Sequence, residues 1–187
     1  REEERIFMFI DLQSSTSIAE RIGHLEYSKF LQSCFQDFSI VDHYRADIYQ
    51  YVGDEVVVSW SPNKGVKNDN FLKAFFAFTD LLKRKREHYQ KEYGISPYFK
   101  AGANIGPVII TEVGDIKREI TYHGDTLNTA ARIQEKCNDL KAQLLISESL
   151  YKLVNNKDAY QIDDVGTIHL KGKGKNVRLY RVAQLDN

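Results

Sequence analysis

The chain has 187 residues, which is enough for one compact domain with a hydrophobic core and short for two. Lysine plus arginine and aspartate plus glutamate both number 26, so the net charge is zero and gives no bulk attraction to nucleic acid or an anionic membrane. No run of about 18 apolar residues is present, so no membrane-spanning helix is predicted. We expect one domain, residues 1–187, that binds no nucleic acid and in which any anion-binding site is local.

The two cysteines and the first residues indicate the context of the chain. Cys34 and Cys137 lie in segments predicted to be helical and share no motif spacing, which is typical of buried thiols in a reducing compartment such as the cytoplasm. The chain begins with a charged run and has neither an initiating methionine nor a signal peptide. We therefore expect a fragment of a longer protein, whose membrane or sensor segments would lie elsewhere.

The first half of the chain alternates strands with amphipathic helices. An apolar run predicts a buried strand over residues 5–12, and apolar positions spaced three and four apart predict two helices, over 14–23 and 25–44. Two β-rich runs broken by Gly53-Asp54 predict a tight hairpin over 47–60. A loop over 61–65 and one long helix over 68–93 are expected to follow.

The second half of the chain is richer in strands. Strands are predicted over 98–105, 108–113, 119–122, 144–146, 160–170 and 177–182, and helices over 124–138 and 148–154. The break between the first two strands is expected at Gly106-Pro107. An α+β fold with a mostly antiparallel sheet and helices on one face, in the split β-α-β style, accommodates this order.

Two aspartates follow apolar segments that can be neighbouring strands. Asp11 ends the first strand, and Asp54 occupies the hairpin turn, so the two carboxylates converge if the strands pair. At about 4 Å such a pair repels by about 4 kcal/mol, which requires a shared proton or a bound cation. Hard oxygen ligands beside hydroxyl-rich residues favour Mg²⁺ with a triphosphate, although an aspartate in a turn is more often only a turn former.

Two other groups of residues can bind an anion. Asn128 and Arg132 are four apart and share one face of the predicted helix over 124–138, although taken alone they read as an ordinary surface pair. Lys171 begins a lysine- and glycine-rich segment, in which a flexible backbone lets a lysine reach a phosphate. The same segment also fits an exposed hairpin.

Four motifs in order carry a family resemblance. They are Phe9-Ile10-Asp11 with Ser15-Thr16, Val52-Gly53-Asp54-Glu55, the run from Tyr122 to Arg132, and Leu170-Lys171-Gly172-Lys173-Gly174. Together they resemble the class III nucleotidyl cyclase catalytic domain, the adenylate and guanylate cyclase family, over about residues 5–183. The resemblance implies a ferredoxin-like fold, a head-to-tail homodimer with two composite sites, and conversion of a nucleoside triphosphate to the 3′,5′-cyclic monophosphate and pyrophosphate.

The resemblance also implies a role for each matching residue. Asp11, Asp54 and the Ile10 carbonyl match the ligands of two divalent cations, Mg²⁺ or Mn²⁺, per site. Asn128 matches the residue that orients the ribose, and Arg132 the residue that steadies charge at the reacting phosphate, both from the partner subunit. The phosphate-binding positions are Leu12, Gln13, Ser14, Ser15, Thr16 and Lys171. Ser15 departs from the family, in which phenylalanine commonly precedes the threonine.

The base-reading positions of the family fall on Gln50 and Thr121. Adenylate cyclases usually have lysine with aspartate there, and guanylate cyclases have glutamate with cysteine, so neither pattern is met. Threonine at the second position resembles a known adenylate cyclase variant, whereas a glutamine amide can pair with adenine or guanine. We expect ATP as substrate, with GTP or relaxed specificity as the alternative and a pyrimidine nucleotide as a lesser one.

A function of another class also fits the resemblance. A cyclase-like domain can be retained for dimerisation or nucleotide sensing without turnover. Such degenerate members of the family usually lose a metal-binding aspartate or the arginine. The matching set is complete in this sequence, which favours an enzyme in intracellular signalling.

Overall fold

Strands and helices alternate in the computed structural model, which describes residues 1–116, 119–170 and 174–186. The strands are β1 (Glu2–Leu12), β2 (Asp47–Val52), β3 (Glu55–Trp60), β4 (Phe99–Val113), β5 (Glu119–His123), β6 (Leu144–Ser147), β7 (Tyr160–Leu170) and β8 (Lys175–Gln184). The α-helices are α1 (Ser15–Ile22), α2 (His24–Asp37), α3 (Pro62–Val66), α4 (Asn70–Arg84), α5 (Arg86–Tyr93), α6 (Asp125–Glu135) and α7 (Glu148–Tyr151). Short 3-10 helices cover Phe38–Tyr44, Lys67–Asp69 and Lys157–Ala159.

The strands form one mostly antiparallel sheet. Its order is β2-β3-β1-β4-β6-β8-β7, and β5 pairs with the far end of β4. Within the described ranges, β4 and β6 are the parallel pair and the other neighbours are antiparallel. The α+β class and the antiparallel character predicted from the sequence are therefore confirmed.

Strand β1 is buried on both faces of the sheet. Because side chains alternate along a strand, Ile6, Met8 and Ile10 join the main core, whereas Phe7 and Phe9 contact a second cluster on the other face. Helices α2 and α4 cover the main core, and α6 lies against the second cluster. The expectation that all helices share one face is wrong, and Asp11 continues the series of Phe7 and Phe9 on the face of α6.

Strand β4 runs without a break through Gly106-Pro107, where two separate strands were predicted. Thr126 donates its hydroxyl hydrogen to the Pro107 carbonyl at 2.7 Å. The nitrogen and carbonyl of one strand residue point to the same side, so the proline nitrogen also points away from β1. Neither β5 nor β6 reaches this part of β4. Proline thus removes no ladder hydrogen bond here, which is why the strand continues.

The segment predicted as a loop over 61–65 is the short helix α3. Pro62 is at its first position, where a missing N–H costs nothing, and the extended Ser61 precedes it. Gly65 lets the helix approach the sheet, since a Cβ there would lie 2.6 Å from Ile6 Cδ1 and 2.8 Å from Trp60 Cβ. The packing of α3 against Ile6 and Trp60 was not visible as a pattern in the sequence.

The single helix predicted over 68–93 is two helices, α4 and α5, which meet at Lys85. Asp37 of α2 accepts hydrogen bonds from Lys85 Nζ at 2.8 Å and from the Tyr89 hydroxyl at 2.6 Å. Tyr89 is completely buried and makes an edge-to-face contact with Phe30. The break turns α5 so that Tyr89 packs against α2, and this tertiary contact overrides the helical periodicity.

Helix α6 approaches the sheet most closely at Gly102 of β4. A Cβ on Gly102 would lie 2.2 Å from the backbone nitrogen of Gln134 and 2.6 Å from its Cα. Backbone atoms cannot rotate away as a flexible side chain can, so only glycine allows this spacing.

We therefore predict that Gly102→Ala destabilises the fold by about 1–3 kcal/mol, because the added methyl group pushes α6 off the sheet. The urea midpoint of unfolding, followed by far-UV circular dichroism, measures this change. An unchanged midpoint would contradict the close approach of α6 and β4.

Candidate active site

Asp11 and Asp54 lie together where β1 and β3 end. Asp11 stands opposite Glu55 across the two strands, and Gly53-Asp54 forms the turn between β2 and β3, with a φ of 60° at Gly53. The Leu12 N–H donates to the Asp54 carbonyl at 3.2 Å, and the side chains of Asp11 and Asp54 are in hydrogen-bonding contact. The structure thus brings together the two acids that the sequence singled out.

Negative charge is concentrated at this end of β1. Burial raises the pKa of Asp11 to about 7 from the ordinary 3.8, and the charges of Asp54 and Glu55 add to the increase. The pKa of Glu55 is raised as well, first by burial and then by Asp54 and Glu135. The acids therefore form a partly buried group that favours a proton or a cation.

A cavity of about 370 Å³ opens beside Asp11. Its wall consists of Asp11, residues 12–17, Lys100 and the end of α6 with the residues that follow it. The residues predicted to bind phosphate in the first motif therefore line one cavity with one of the predicted metal ligands. The cavity lies between the start of α1 and the end of α6.

The start of α1 has backbone N–H groups on residues that line this cavity. Ser14 has a left-handed φ of 62° and precedes the helix, and its carbonyl accepts the N–H of Ile18 at 3.0 Å. The N–H groups of residues 15–17 belong to the first turn and have no intrahelical acceptor. Those of Leu12 and Gln13 are already used, since they donate to Asp54 O and, at 2.8 Å, to Tyr98 O. Anion binding by backbone amides therefore concerns residues 15–17 in particular.

Lys100 is a member of this site that the sequence analysis missed. It stands opposite Asp11 in the β1–β4 register, lines the cavity, and donates a hydrogen bond from Nζ to Asn138 Oδ1. Its position opposite Asp11 depends on the pairing of β1 with β4, and β2 and β3 lie between these two strands in the sequence. The one local signal was a lysine in a largely apolar strand, which alone indicates no partner.

Asn128 and Arg132 lie on the exposed side of α6, while Ala130 and Ile133 face the sheet. The two polar side chains line a depression of about 320 Å³, which also includes Glu135. Asp11 and Asp54 are not part of this depression. Within one chain, Asn128 and Arg132 therefore line a different depression from the cavity beside Asp11, and both are exposed to solvent.

Gln50 and Thr121 lie on β2 and β5, two strands that share no ladder but contact each other through the rings of Tyr49 and Tyr122 on the second face of the sheet. Gln50 is exposed on β2, and Thr121 is half-buried on β5 opposite Thr111. The residues beside them make the contact between the strands, because the Tyr122 N–H donates to the Tyr49 hydroxyl at 3.2 Å. No hydrogen bond joins Gln50 and Thr121 themselves among the contacts of the described residues.

The other predicted site residues are Ile10 and Lys171. Ile10 is buried on β1 between β3 and β4, one residue before Asp11. Lys171 lies outside the residues that the structure describes. Across residues 1–116, 119–170 and 174–186, no group of three or more His, Cys, Asp or Glu side chains is arranged to hold a metal ion, and no helix has the length and apolarity to cross a membrane.

Comparisons with known proteins identify the family. The family description "Adenylate and Guanylate cyclase catalytic domain" matches residues 1–184. Adenylate cyclase 2 of Rhizobium meliloti (strain 1021) is 34% identical over 177 residues, covering 94% of this chain and 49% of that protein. Guanylate cyclase soluble subunit beta-2 of Rattus norvegicus is 26% identical over 183 residues, covering 96% of this chain and 26% of that protein. The chain thus spans about half or less of the length of these relatives.

The fold is also that of solved cyclases. The crystal structure of the adenylyl cyclase CyaB from P. aeruginosa superposes with a TM-score of 0.84 at 23% identity, covering 100% of this chain and 96% of that one. The cyclase fold expected from the four motifs is therefore confirmed. Since the family match covers almost the whole chain, the protein belongs to the adenylate and guanylate cyclase catalytic domain family.

Proposed function

We propose that the chain is a nucleotidyl cyclase that converts ATP to 3′,5′-cyclic AMP and pyrophosphate, for use in signalling. The observation that carries the proposal is the carboxylate pair Asp11–Asp54 beside a cavity lined by the start of α1. In the reaction, the ribose 3′-hydroxyl attacks the α-phosphorus, and the bond to the departing pyrophosphate breaks. The reaction needs groups that bind the triphosphate, hold divalent cations and stabilise charge at the reacting phosphate, and the chain has candidates for each.

The cavity beside Asp11 suits the triphosphate. The amides of residues 15–17 supply N–H donors at a helix N-terminus, and Lys100 supplies a positive charge on the opposite wall. Lys171 is proposed from the motif alone as a further ligand of the terminal phosphates. These groups would hold the pyrophosphate part of the substrate and stabilise it as it leaves.

The donor set at Asp11 fits a divalent cation. The raised pKa values of Asp11 and Glu55, on either side of the turn residue Asp54, favour a hard cation, and Mg²⁺ typically takes one or two carboxylates together with phosphate oxygens. Asp11, Asp54 and the Ile10 carbonyl would hold Mg²⁺ or Mn²⁺, two per site. Bound there, the cations would lower the pKa of the 3′-hydroxyl and screen the triphosphate.

The remaining groups would come from a second copy of the chain. Asn128 and Arg132 are exposed and separate from the carboxylates, which supports a composite site with Asn128 orienting the ribose and Arg132 stabilising charge on the α-phosphate. The β4–β5 hairpin also exposes apolar side chains, including Ile109, Val113 and Ile120, each about half accessible. Such side chains support a homodimer that buries them.

The base specificity rests on Gln50 and Thr121, and two observations bear on it. The 34% identity to an adenylate cyclase supports ATP, and the match to a guanylate cyclase subunit together with the adaptable Gln50 amide supports some use of GTP. Both cysteines are free and buried, which supports a reducing compartment such as the cytoplasm.

The cation site can be tested in the absence of substrate. Because folding raises the pKa of Asp11 to about 7 from 3.8, the native state holds its proton more tightly than the unfolded chain, and stability falls as the pH rises from about 4 to about 7. Asp11→Asn should therefore raise the Tm of the metal-free protein at pH 8 by about 2–4 °C and have little effect at pH 4. Added Mg²⁺ should stabilise the parent protein more than the variant.

The matched control is Asp158→Asn, which removes an acid from an exposed position. It should leave both the Tm and its response to Mg²⁺ unchanged. If Asp11→Asn lowers the Tm at pH 8 without Mg²⁺, the excess of negative charge at this site is refuted.

The proposed activity is tested by incubating the purified chain with each nucleoside triphosphate and Mg²⁺ or Mn²⁺, and identifying cyclic products by mass. We expect cyclic AMP as the main product. Asp54→Ala should reduce turnover to background without unfolding the chain, because Asp54 lies in a turn and contributes little to the core. Nucleotide binding without a cyclic product would favour a sensing module instead.

The composite site is tested by mixing two inactive variants. Asp54→Ala and Arg132→Ala chains should form heterodimers with one intact site each, so an equal mixture should recover about a quarter of parental activity. Native mass spectrometry measures the heterodimer content. A mixture that contains heterodimers and remains inactive argues against the shared site.

The base specificity is tested by exchanging both base-reading residues. The neutral amide of Gln50 and hydroxyl of Thr121 should discriminate only modestly between adenine and guanine. We therefore expect the parent to favour ATP over GTP by about ten- to thirtyfold in kcat/KM. Gln50→Lys with Thr121→Asp should increase this ratio, and Gln50→Glu with Thr121→Cys should shift it toward GTP. Active double variants that keep the parental ratio would show that these positions do not contact the base.

A further inference from the structure

Strand β2 contains a bulge immediately before Gln50. Ile48 pairs with Val58 of β3, whereas Gln50 pairs with Val57, so Tyr49 is an extra residue in β2. Ile48 belongs to the main core, while Tyr49 packs in the cluster on the second face, where Val57 also lies. Directly paired residues share a face, so Gln50 is on the second face too. The bulge therefore turns two consecutive side chains, Tyr49 and Gln50, to the same side.

Tyr49 connects β2 to β5 across that face. Its hydroxyl accepts the Tyr122 N–H at 3.2 Å, and the two rings meet nearly edge to face with centroids 4.9 Å apart. The N–H of Tyr122 belongs to the peptide group that begins at the Thr121 carbonyl. One tyrosine hydroxyl thus links the residue next to Gln50 with the peptide group of Thr121.

Arg5 fixes the other side of this contact. Its guanidinium carbon lies 5.3 Å from the centroid of the Tyr122 ring. Arg5 is buried, and it donates hydrogen bonds to Ser59 at 2.7 Å, Glu3 at 3.2 Å and Asp47 at 3.0 Å. Because Glu3, Asp47 and Ser59 hold Arg5 in place, Arg5 supports the ring of Tyr122, while the Tyr49 hydroxyl bonds the backbone of β5 to β2.

We propose that Tyr49 is a specificity-positioning residue, whose hydroxyl sets the distance between Gln50 and Thr121 and thereby their preference between adenine and guanine nucleotides. This inference rests on the proposed function, since it assigns the two positions to base reading. Tyr49 is not proposed to contact the base itself, since its hydroxyl oxygen accepts the Tyr122 N–H and its ring packs in the cluster on the second face. It acts through the two strands that carry the reading side chains.

The hydroxyl and the ring of Tyr49 have separable tasks. The ring fills the cluster on the second face with Phe7 and Val57, so a phenylalanine keeps this packing. The hydroxyl alone accepts the N–H of Tyr122. Without the Tyr49 hydroxyl, β5 can move relative to β2 while the fold persists. Gln50 is then no longer held at a fixed distance from Thr121, so its amide can pair with either purine.

The test measures the Kd of ATP and of GTP with Mg²⁺, by competition against a fluorescent nucleotide, for the parent and for Tyr49→Phe. We expect the ATP-over-GTP affinity ratio to fall by about threefold or more toward one. For ATP turnover, KM should rise while kcat changes little, because the groups at the phosphates are untouched. A merely structural role would leave the affinity ratio unchanged.

Two control variants separate positioning from stability. Tyr93→Phe removes a tyrosine hydroxyl that is hydrogen-bonded to Ser33 at 3.0 Å, away from the base-reading strands, and should lower the Tm about as much without altering the ratio. Tyr122→Phe keeps the backbone N–H that donates to Tyr49, so the ratio should stay at its parental value.

Three results would overturn the inference. They are an unchanged ratio in Tyr49→Phe, an equal fall of the ratio in Tyr93→Phe, and a parent that binds neither nucleotide or does not discriminate between them. Failure of the proposed activity is distinguishable from these. If the parent forms no cyclic product but Tyr49→Phe alone lowers the affinity ratio, catalysis is refuted and the positioning role stands for nucleotide binding.

Discussion

The burial of β1 on both faces is the constraint on which the rest of the structure depends. Ile6, Phe7 and Met8 are completely buried, and each such side chain contributes about 1.5–3 kcal/mol of hydrophobic free energy. A shift of one residue in the pairing would exchange the two faces of the strand, so its register is strongly fixed. Asp11 is therefore held at the end of the strand, on the face of α6, by residues that take no part in any chemistry.

Local patterns in the sequence predicted much of this arrangement. Period-two and period-3.6 patterns located most of the elements, and the Gly53-Asp54 turn fixed the position of one acid opposite the end of β1. The predictions failed where contacts distant in sequence decide the structure. Pro107 stays within β4 because Thr126 occupies the unpaired side of the strand, and Lys85 interrupts a helical pattern because Asp37 binds the residues around the break.

The candidate site was predictable to the same degree and for the same reason. Asp11, residues 12–16 and Asp54 are close in sequence to the turns that position them, so motifs identified them, whereas Ser17 joins the site only in the structure. Lys100 became visible only through the pairing of β1 with β4, and the role of Tyr49 only through the bulge and the contact with Tyr122. Residues whose side chains act across elements have no local pattern that a single sequence can display.

The close approach at Gly102 restricts how such a protein can be regulated. Helix α6 lies with its backbone against β4, and β4 is paired with β1 over eleven residue positions, so the exposed donors on α6 and the acid at the end of β1 belong to one rigid body. The close packing of α6 on β4 therefore opposes a movement of α6 toward the acid. In the proposed dimer, a signal from another part of the protein would therefore act as a rotation between two rigid subunits, which opens or closes both sites together.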